Sequence, residues 1–122
     1  RSEYSGIVNL GIDINKVDIS EPDTNNVITI KIPDAEVQST SLDKSTLSEP
    51  LTDKGVFTKI TTEEKTEALS SAQQNMKETA QKDTSLLAQA KEHAKLILQG
   101  YINNLGEEFN EEYTIKWVDV SE

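Results

Sequence analysis

Two hydrophobic periods divide this chain, and their order limits the fold more than any single residue does. From Tyr4 through Val8, Leu10, Ile12 and Ile14 the apolar residues take even positions, and Asn9, Asp13 and Asn15 take odd ones. That alternation gives a strand with one dry and one wet face, interrupted by Ile7 and Gly11. Val17 and Ile19, alternating with Asp18 and Ser20, either extend the same strand past a bulge at Asn15–Lys16 or form a short second one. Glu21–Asn26 then supplies Pro22, Asp23, Asn25 and Asn26, the residue types of a hairpin turn. Val27–Ile32 follows with Ile28, Ile30 and Ile32 on one face, and Pro33, lacking a backbone donor, interrupts the ladder. A further short strand is expected over Glu36–Ser41. A polar surface loop from Leu42 to about Lys54 comes next, then a weak strand or extended lead over Gly55–Ile60.

At Thr61 the period changes from two to between three and four. Thr61 with Glu64 matches a capping box, and Glu63, Glu64 and Glu67 place negative charge where a helix start is positive. Apolar or small residues recur at Ala68, Leu69, Ala72, Met76, Ala80, Leu87, Ala90, Ala94, Ile97, Leu98, Tyr101, Ile102 and Leu105, the stripe of an amphipathic helix. One unbroken helix of that length would reach about 65 Å at about 1.5 Å per residue, more than a small domain can cover. Asp83, Thr84 and Ser85 are good capping residues in the middle of the run, so a break is expected there, with a second helix over about Ser85–Asn104 and Gly106 as its C-terminal stop. A last strand, Tyr113–Val120, sets Tyr113, Ile115 and Trp117 against Thr114, Lys116 and Val118. The chain therefore reads as an α+β domain over residues 1–122: an antiparallel sheet of about four to five strands, made of the N-terminal ribbons and the C-terminal strand, packed on one or two C-terminal helices. The alanine-rich seam Ala68, Ala72, Met76 and Ala80 is expected to lie on that sheet. The same narrow seam could otherwise receive a second helix.

Composition narrows the function classes. With 22 acidic and 12 basic side chains the net charge is -10, the wrong sign for neutralising phosphates or adsorbing to anionic lipid. The excess lies outside the helices: acids against bases run 10 to 6 up to Thr62, 6 to 5 over Glu63–Leu105 and 6 to 1 from Gly106 on. No cysteine is present, which excludes disulfides, thiolate metal sites and thiol nucleophiles and leaves the compartment open. Aromatic residues make up 5% of the chain, so the core is modest. No apolar run approaches the roughly 20 residues of a membrane span.

Catalytic equipment is thin. His93, the one histidine, stands among Gln89, Ala90, Leu96 and Ile97 at helical spacing, without a ligand cluster or a G-x-S-x-G elbow, and reads as a surface or boundary residue. Paired carboxylates are the one apparatus available, from Asp13, Asp18, Glu21, Asp34 and Glu36. Glycoside chemistry would also need an aromatic floor, for which Trp117 and three tyrosines are the stock. Asp13-Ile14-Asn15 opens like a calcium loop but lacks the glycine and the bidentate glutamate at the required spacing. Five scattered glycines make no phosphate cradle. No catalytic, cofactor-binding or metal-binding residue is assigned, and no cofactor is expected.

Several stretches taken together do carry a resemblance. Tyr4-Ser5-Gly6-Ile7-Val8 with Gly11-Ile12-Asp13, then Lys16-Val17-Asp18-Ile19, then Ile28-Thr29-Ile30-Lys31-Ile32-Pro33-Asp34-Ala35-Glu36-Val37, and later Ser85-Leu86-Leu87-Ala88-Gln89-Ala90-Lys91-Glu92-His93-Ala94 resemble in order and spacing a bacterial family known as domain of unknown function 4230. The pairing of the Y-x-G and G-I-D strand with the I-x-I-P-x-A-E strand is its most specific element. The resemblance implies an extracytoplasmic location, membrane-anchored in the full-length protein. It also implies that this chain lacks the N-terminal anchor and a preceding strand, leaving an open edge beside Tyr4–Ile14 where another chain could pair. The expected role is that of a non-enzymatic cell-envelope domain acting through protein-protein contacts or self-association, as a homo-oligomer through an edge strand or helix or with a separate protein partner. It would have no nucleic acid and no membrane contact beyond the anchor. The alternative class is a carbohydrate-binding module or carboxylate-based hydrolase of the cell envelope, which would need two or more of Asp13, Asp18, Asp34 and Glu36 in one cleft.

Overall fold

The computed structural model describes residues 2–43, 56–64 and 69–120, with side chains described at 6–41 and 73–120. The expected loop over 44–54 and the helix-stripe residue Ala68 lie outside the described residues. The strands are β1 (Ser2–Gly11), β2 (Asp18–Ile19), β3 (Val27–Pro33), β4 (Glu36–Asp43), β5 (Val56–Glu64) and β6 (Thr114–Val120), and the helices are α1 (Leu69–Lys82) and α2 (Thr84–Phe109). The α+β class stands. The strands, however, divide between two three-stranded sheets, in the orders β4-β1-β5 and β2-β3-β6, rather than forming one antiparallel sheet. In the second sheet β3 and β6 run parallel, Val27 opposite Thr114 through Pro33 opposite Val120. A parallel pair needs a long crossover, and the chain between β3 and β6, ending in α2, supplies it.

In the first sheet β1 is the middle strand. It pairs antiparallel with β4 from Ser5 opposite Asp43 to Gly11 opposite Glu36, with a bulge between Asn9 and Leu10. On its other side it pairs with β5 from Ser2 opposite Glu64 to Leu10 opposite Val56. Both edges of β1 are thus filled, which corrects the expectation of an open edge there. Among the described residues the outer edges of this sheet belong to β4 and β5. Thr61 and Glu64 are part of β5 and not a capping box. The β-branched run Ile60-Thr61-Thr62 favours the pleat, and nine residues of partner strand settle the choice.

The expected strand over Tyr4–Ile14 ends earlier, because Ile14–Lys16 forms a 3-10 turn capped by Asp13, whose carboxylate accepts from the Asn15 amide at 3.0 Å. Ile14 is therefore exposed rather than on the dry face, and Ile19 on the two-residue β2 is exposed as well. The hairpin between β2 and β3 forms as expected. Asp23 Oδ1 accepts from the amides of Asn25 and Val27, at 2.8 and 3.0 Å, and Asn26 takes the left-handed conformation at φ 62°. The helical run breaks where its capping residues stand: Asp83 accepts from the Leu86 amide at 3.1 Å and starts α2.

Gly106 does not stop α2. The helix continues to Phe109 and ends on Asn110 in the left-handed region at φ 60°. Gly106 is glycine for another reason: a Cβ there would lie 2.5 Å from the Glu111 carbonyl oxygen, where the chain folds back toward β6.

Among the described residues two clusters make the interior, and α2 spans both. Val8, Leu10, Ala35, Ala80 and Ala90 form the first. Ile28, Ile30, Ile32, Leu98 and Ile102 form the second, with Trp117, Ile115 and Tyr113 at its margin. Ile12 packs against both. Each fully buried isoleucine of β3 contributes about 1.5–3 kcal/mol relative to exposure. Among the described residues no helix is long and apolar enough to cross a membrane.

Candidate functional site

The carboxylates with catalytic potential do not gather in a cleft. Asp13 is committed to the cap of its turn. Asp18, Glu21 and Glu36 are exposed, on β2, in the turn after it and at the start of β4. Among the described residues no group of three histidine or acidic side chains could hold a metal ion.

Asp34 alone enters a cluster, and its partners were invisible to sequence spacing. Lys91 on α2 lies between Asp34 and Asp119, with Nζ at 2.8 and 2.9 Å from their carboxylates. The lysine side chain is 14% exposed and each aspartate 73%. Burial by itself pulls the Lys91 pKa down, but hydrogen bonds and charges from the two aspartates outweigh it and leave the pKa raised. The Lys91 ammonium in turn holds the Asp119 carboxyl below its ordinary value. Asp34 follows β3 and Asp119 sits near the end of β6, so the cluster ties α2 to the parallel strand pair. With a cation already between the carboxylates, it serves fixation better than acid–base exchange.

Trp117, on which a sugar site would have had to draw for its aromatic floor, is also occupied. Lys95 Nζ lies 5.5 Å from its ring centroid, and the ring packs against the second core cluster. Lys95 completes its set with Glu92 at 3.4 Å.

The opening beside α2 is mainly apolar. Between the helix and the end of β1 runs a groove of about 240 Å³, lined by Ile12, Ile14, Gln38, His93, Ile97 and Tyr101 among others. Gln38 Nε2 donates to the Ile12 carbonyl at 2.9 Å and shapes one wall. His93 lies at the boundary, as expected, half-buried on the groove. Among the described residues no carboxylate lines it.

Beside this groove the helix exposes large apolar side chains: Leu96 at 70%, Tyr101 at 65% and Phe109 at 62%, with Leu105 partly open. Sequence periodicity puts Tyr101 and Leu105 on the apolar stripe. They match the period, but the domain does not cover the helix far enough to bury them. Leu96 and Gly100 fell outside that stripe. Gly100, a helix-weakening residue in mid-helix, was the signal that could have drawn attention to this face.

The residues of the family resemblance have a different use. Gly6 lets Met76 of α1 lie on the sheet, since a Cβ there would come 2.7 Å from the methionine sulfur and overlap the Ser41 carbonyl. Ile30, Ile32 and Ala35 are core. They build the fold, and the open face of α2 from Leu96 onward lies outside the quoted stretches. Comparison with known families agrees with the resemblance: the chain matches the family described as protein of unknown function, DUF4230, over residues 2–113. No curated protein and no solved structure matches the chain.

Proposed function

We propose that this chain, which belongs to the DUF4230 family, is a non-enzymatic, extracytoplasmic domain of a membrane-anchored bacterial protein, and that it acts by binding another protein through the open face of α2. The carrying observation is the exposure of Leu96, Tyr101 and Phe109 on one helix. Leu96 and Tyr101 stand on either flank of the helix surface that Gly100 leaves low, and Phe109 stands apart at the C-terminal end; large apolar side chains flanking an open helix surface suit a contact with another protein. The acids favour the same reading: those that hydrolysis would recruit are wet, capping or paired with Lys91.

Photo-crosslinking in the full-length protein, in cells that produce it, tests the contact role. A photoreactive residue at Leu96 should give a discrete protein adduct, whereas one at the exposed Glu78 on α1 should give none. Equal yields from the two positions, or no adduct from Leu96, would refute it. The location is tested separately: protease added to spheroplasts should digest the domain while a cytoplasmic marker survives.

A further inference from the structure

We infer that the α2 face around Gly100 receives a basic amphipathic helix of a different protein, laid across the Leu96–Tyr101 step with its cations toward Glu107 and Glu108. This rests on the contact role above and specifies the partner's chemistry.

The first ground is Gly100. Glycine inside a helix costs roughly 0.5–1 kcal/mol relative to alanine, and the described glycines show what usually offsets that cost. At Gly6 and Gly106 a Cβ would collide with neighbouring atoms, but at Gly100 it would meet nothing within 4 Å. The fold itself does not require this glycine. A gap on a helix surface between Leu96, four residues before it, and Tyr101, just after it, lets another helix approach toward the short end of the 8–10 Å interaxial range, with the two side chains as ridges on either side.

The second ground is charge. Glu107 lies seven residues beyond Gly100, and Glu108 seven beyond Tyr101, so helical periodicity puts both on this face two turns later. They also stand at the helix C-terminus, the negative end of its dipole. The nearby cations are directed elsewhere, Lys91 to Asp34 and Asp119 and Lys95 to Glu92 and Trp117. An apolar step bordered by glutamates complements a helix carrying Leu or Ile on one face and Lys or Arg beside it. A second copy of this chain, with its net charge of -10, would instead bring glutamate against glutamate.

The probe is a labelled synthetic peptide of about 20 residues, long enough to form a helix, with leucines at i, i+3, i+4 and i+7 and lysines on the flanks. A twin with glutamates in place of the lysines is the control. Fluorescence anisotropy with the 122-residue chain should show binding of the lysine peptide, weakening as salt rises, and none of the glutamate twin. Gly100→Leu should weaken binding by about tenfold or more, and Glu108→Lys should weaken it and flatten the salt dependence. Gly100→Ala should move two readouts in opposite directions, raising the melting temperature while weakening binding, which a merely structural glycine would not do. Equal affinity for wild type and Gly100→Leu, or equal binding of the two peptides, overturns the assignment. So does a concentration-dependent dimer, seen by light scattering and abolished by Gly100→Leu, which would give the face to a second copy. If the lysine peptide fails while Leu96 still crosslinks in cells, the contact role stands and the basic helix falls. If crosslinking fails as well, both fall.

Discussion

The two halves of α2 are built on different sheets, and only from Leu96 onward does the helix leave large apolar side chains in water. Its N-terminal half meets the first core through Ala90, Leu86 and Leu87, against Val8 and Leu10 of β1 and Ala80 of α1. Small side chains let the helices and the central strand come close. The C-terminal half meets the second core through Leu98 and Ile102, against three isoleucines of β3. That inner face is just as dry, yet the same turns carry Leu96, Tyr101 and Phe109 in water. One helix thus serves as a structural member at one end and as both core and open surface at the other. Burial on one face says nothing about whether the neighbouring face has finished its work.

If the second core is the denser source of stability, the largest loss should come from its centre. Ile30 is 0% exposed and sits between Ile19 of β2 and Trp117 of β6. Ile30→Asp places an unpaired charge in that interior and should cost about 4 kcal/mol or more, enough to unfold a marginal domain. Urea denaturation or thermal melting measures it. A cooperative transition near the wild-type midpoint would show that the buried second cluster is not the source of stability.

The seat of α1 on the first sheet should be broken by addition rather than by charge, because its closeness depends on what is absent at Gly6. Gly6→Ala pushes a methyl group against Met76 and the Ser41 carbonyl, an overpacking cost of about 1–3 kcal/mol. Met76→Ala opens a cavity of its own, because Met76 is fully buried, but it makes room on the helix side, so the Gly6→Ala cost should be smaller in that background, a partial rescue read as coupling. Failure of that rescue in a double-mutant cycle would place the strain on the β4 backbone instead.

This asymmetry also explains what could be read from the sequence. Ile28, Ile30 and Ile32 announced a buried strand because β-branched residues at period two have few other uses, and Asp83-Thr84-Ser85 announced the helix break because capping is a local matter. The division into two sheets was not legible. The β1–β5 ladder joins residues some fifty positions apart, and the parallel β3–β6 pair spans most of the chain, so neither leaves a local mark. Thr61 and Glu64 suited a capping box and a strand equally well until β1 was seen beside them. Gly106 suggested a helix stop, but the close return of Glu111 accounts for it. The α2 face was hidden for a related reason: Tyr101 and Leu105 satisfy the helical period, and periodicity reports direction without saying whether anything lies in that direction.

The joint between α1 and α2 offers a smaller test. Asp83 closes the break by accepting from the Leu86 amide, and its own amide donates to the Ala80 carbonyl at 3.1 Å. Asp83→Ala should cost about 1 kcal/mol, and the loss should appear first as faster amide exchange at Leu86 and Leu87. Uniformly faster exchange along α2 would mean that the helix opens as one unit and that its halves are not separately anchored.

The smallest expected effect comes from the pin that ties α2 to the second sheet, and its pH dependence has a definite sign. The Asp119 carboxyl is held below its ordinary 3.8, by its hydrogen bond from Lys91 first and the charge second. A carboxylate with a lowered folded-state pKa contributes stability above its unfolded pKa and loses it as pH falls through the folded value. Lys91 is raised above 10.5, so its contribution fades only as pH rises through that higher value. Lys91→Met removes the cation and leaves two aspartates that are mostly in water, where they remain hydrated, so the penalty should be slight and sensitive to salt. The stability gap between wild type and variant should stay level through neutral pH and narrow below about 3.8 as Asp119 takes up its proton. A gap that persists undiminished into strong acid would show that the charge of Lys91 is not what holds the helix to the second sheet.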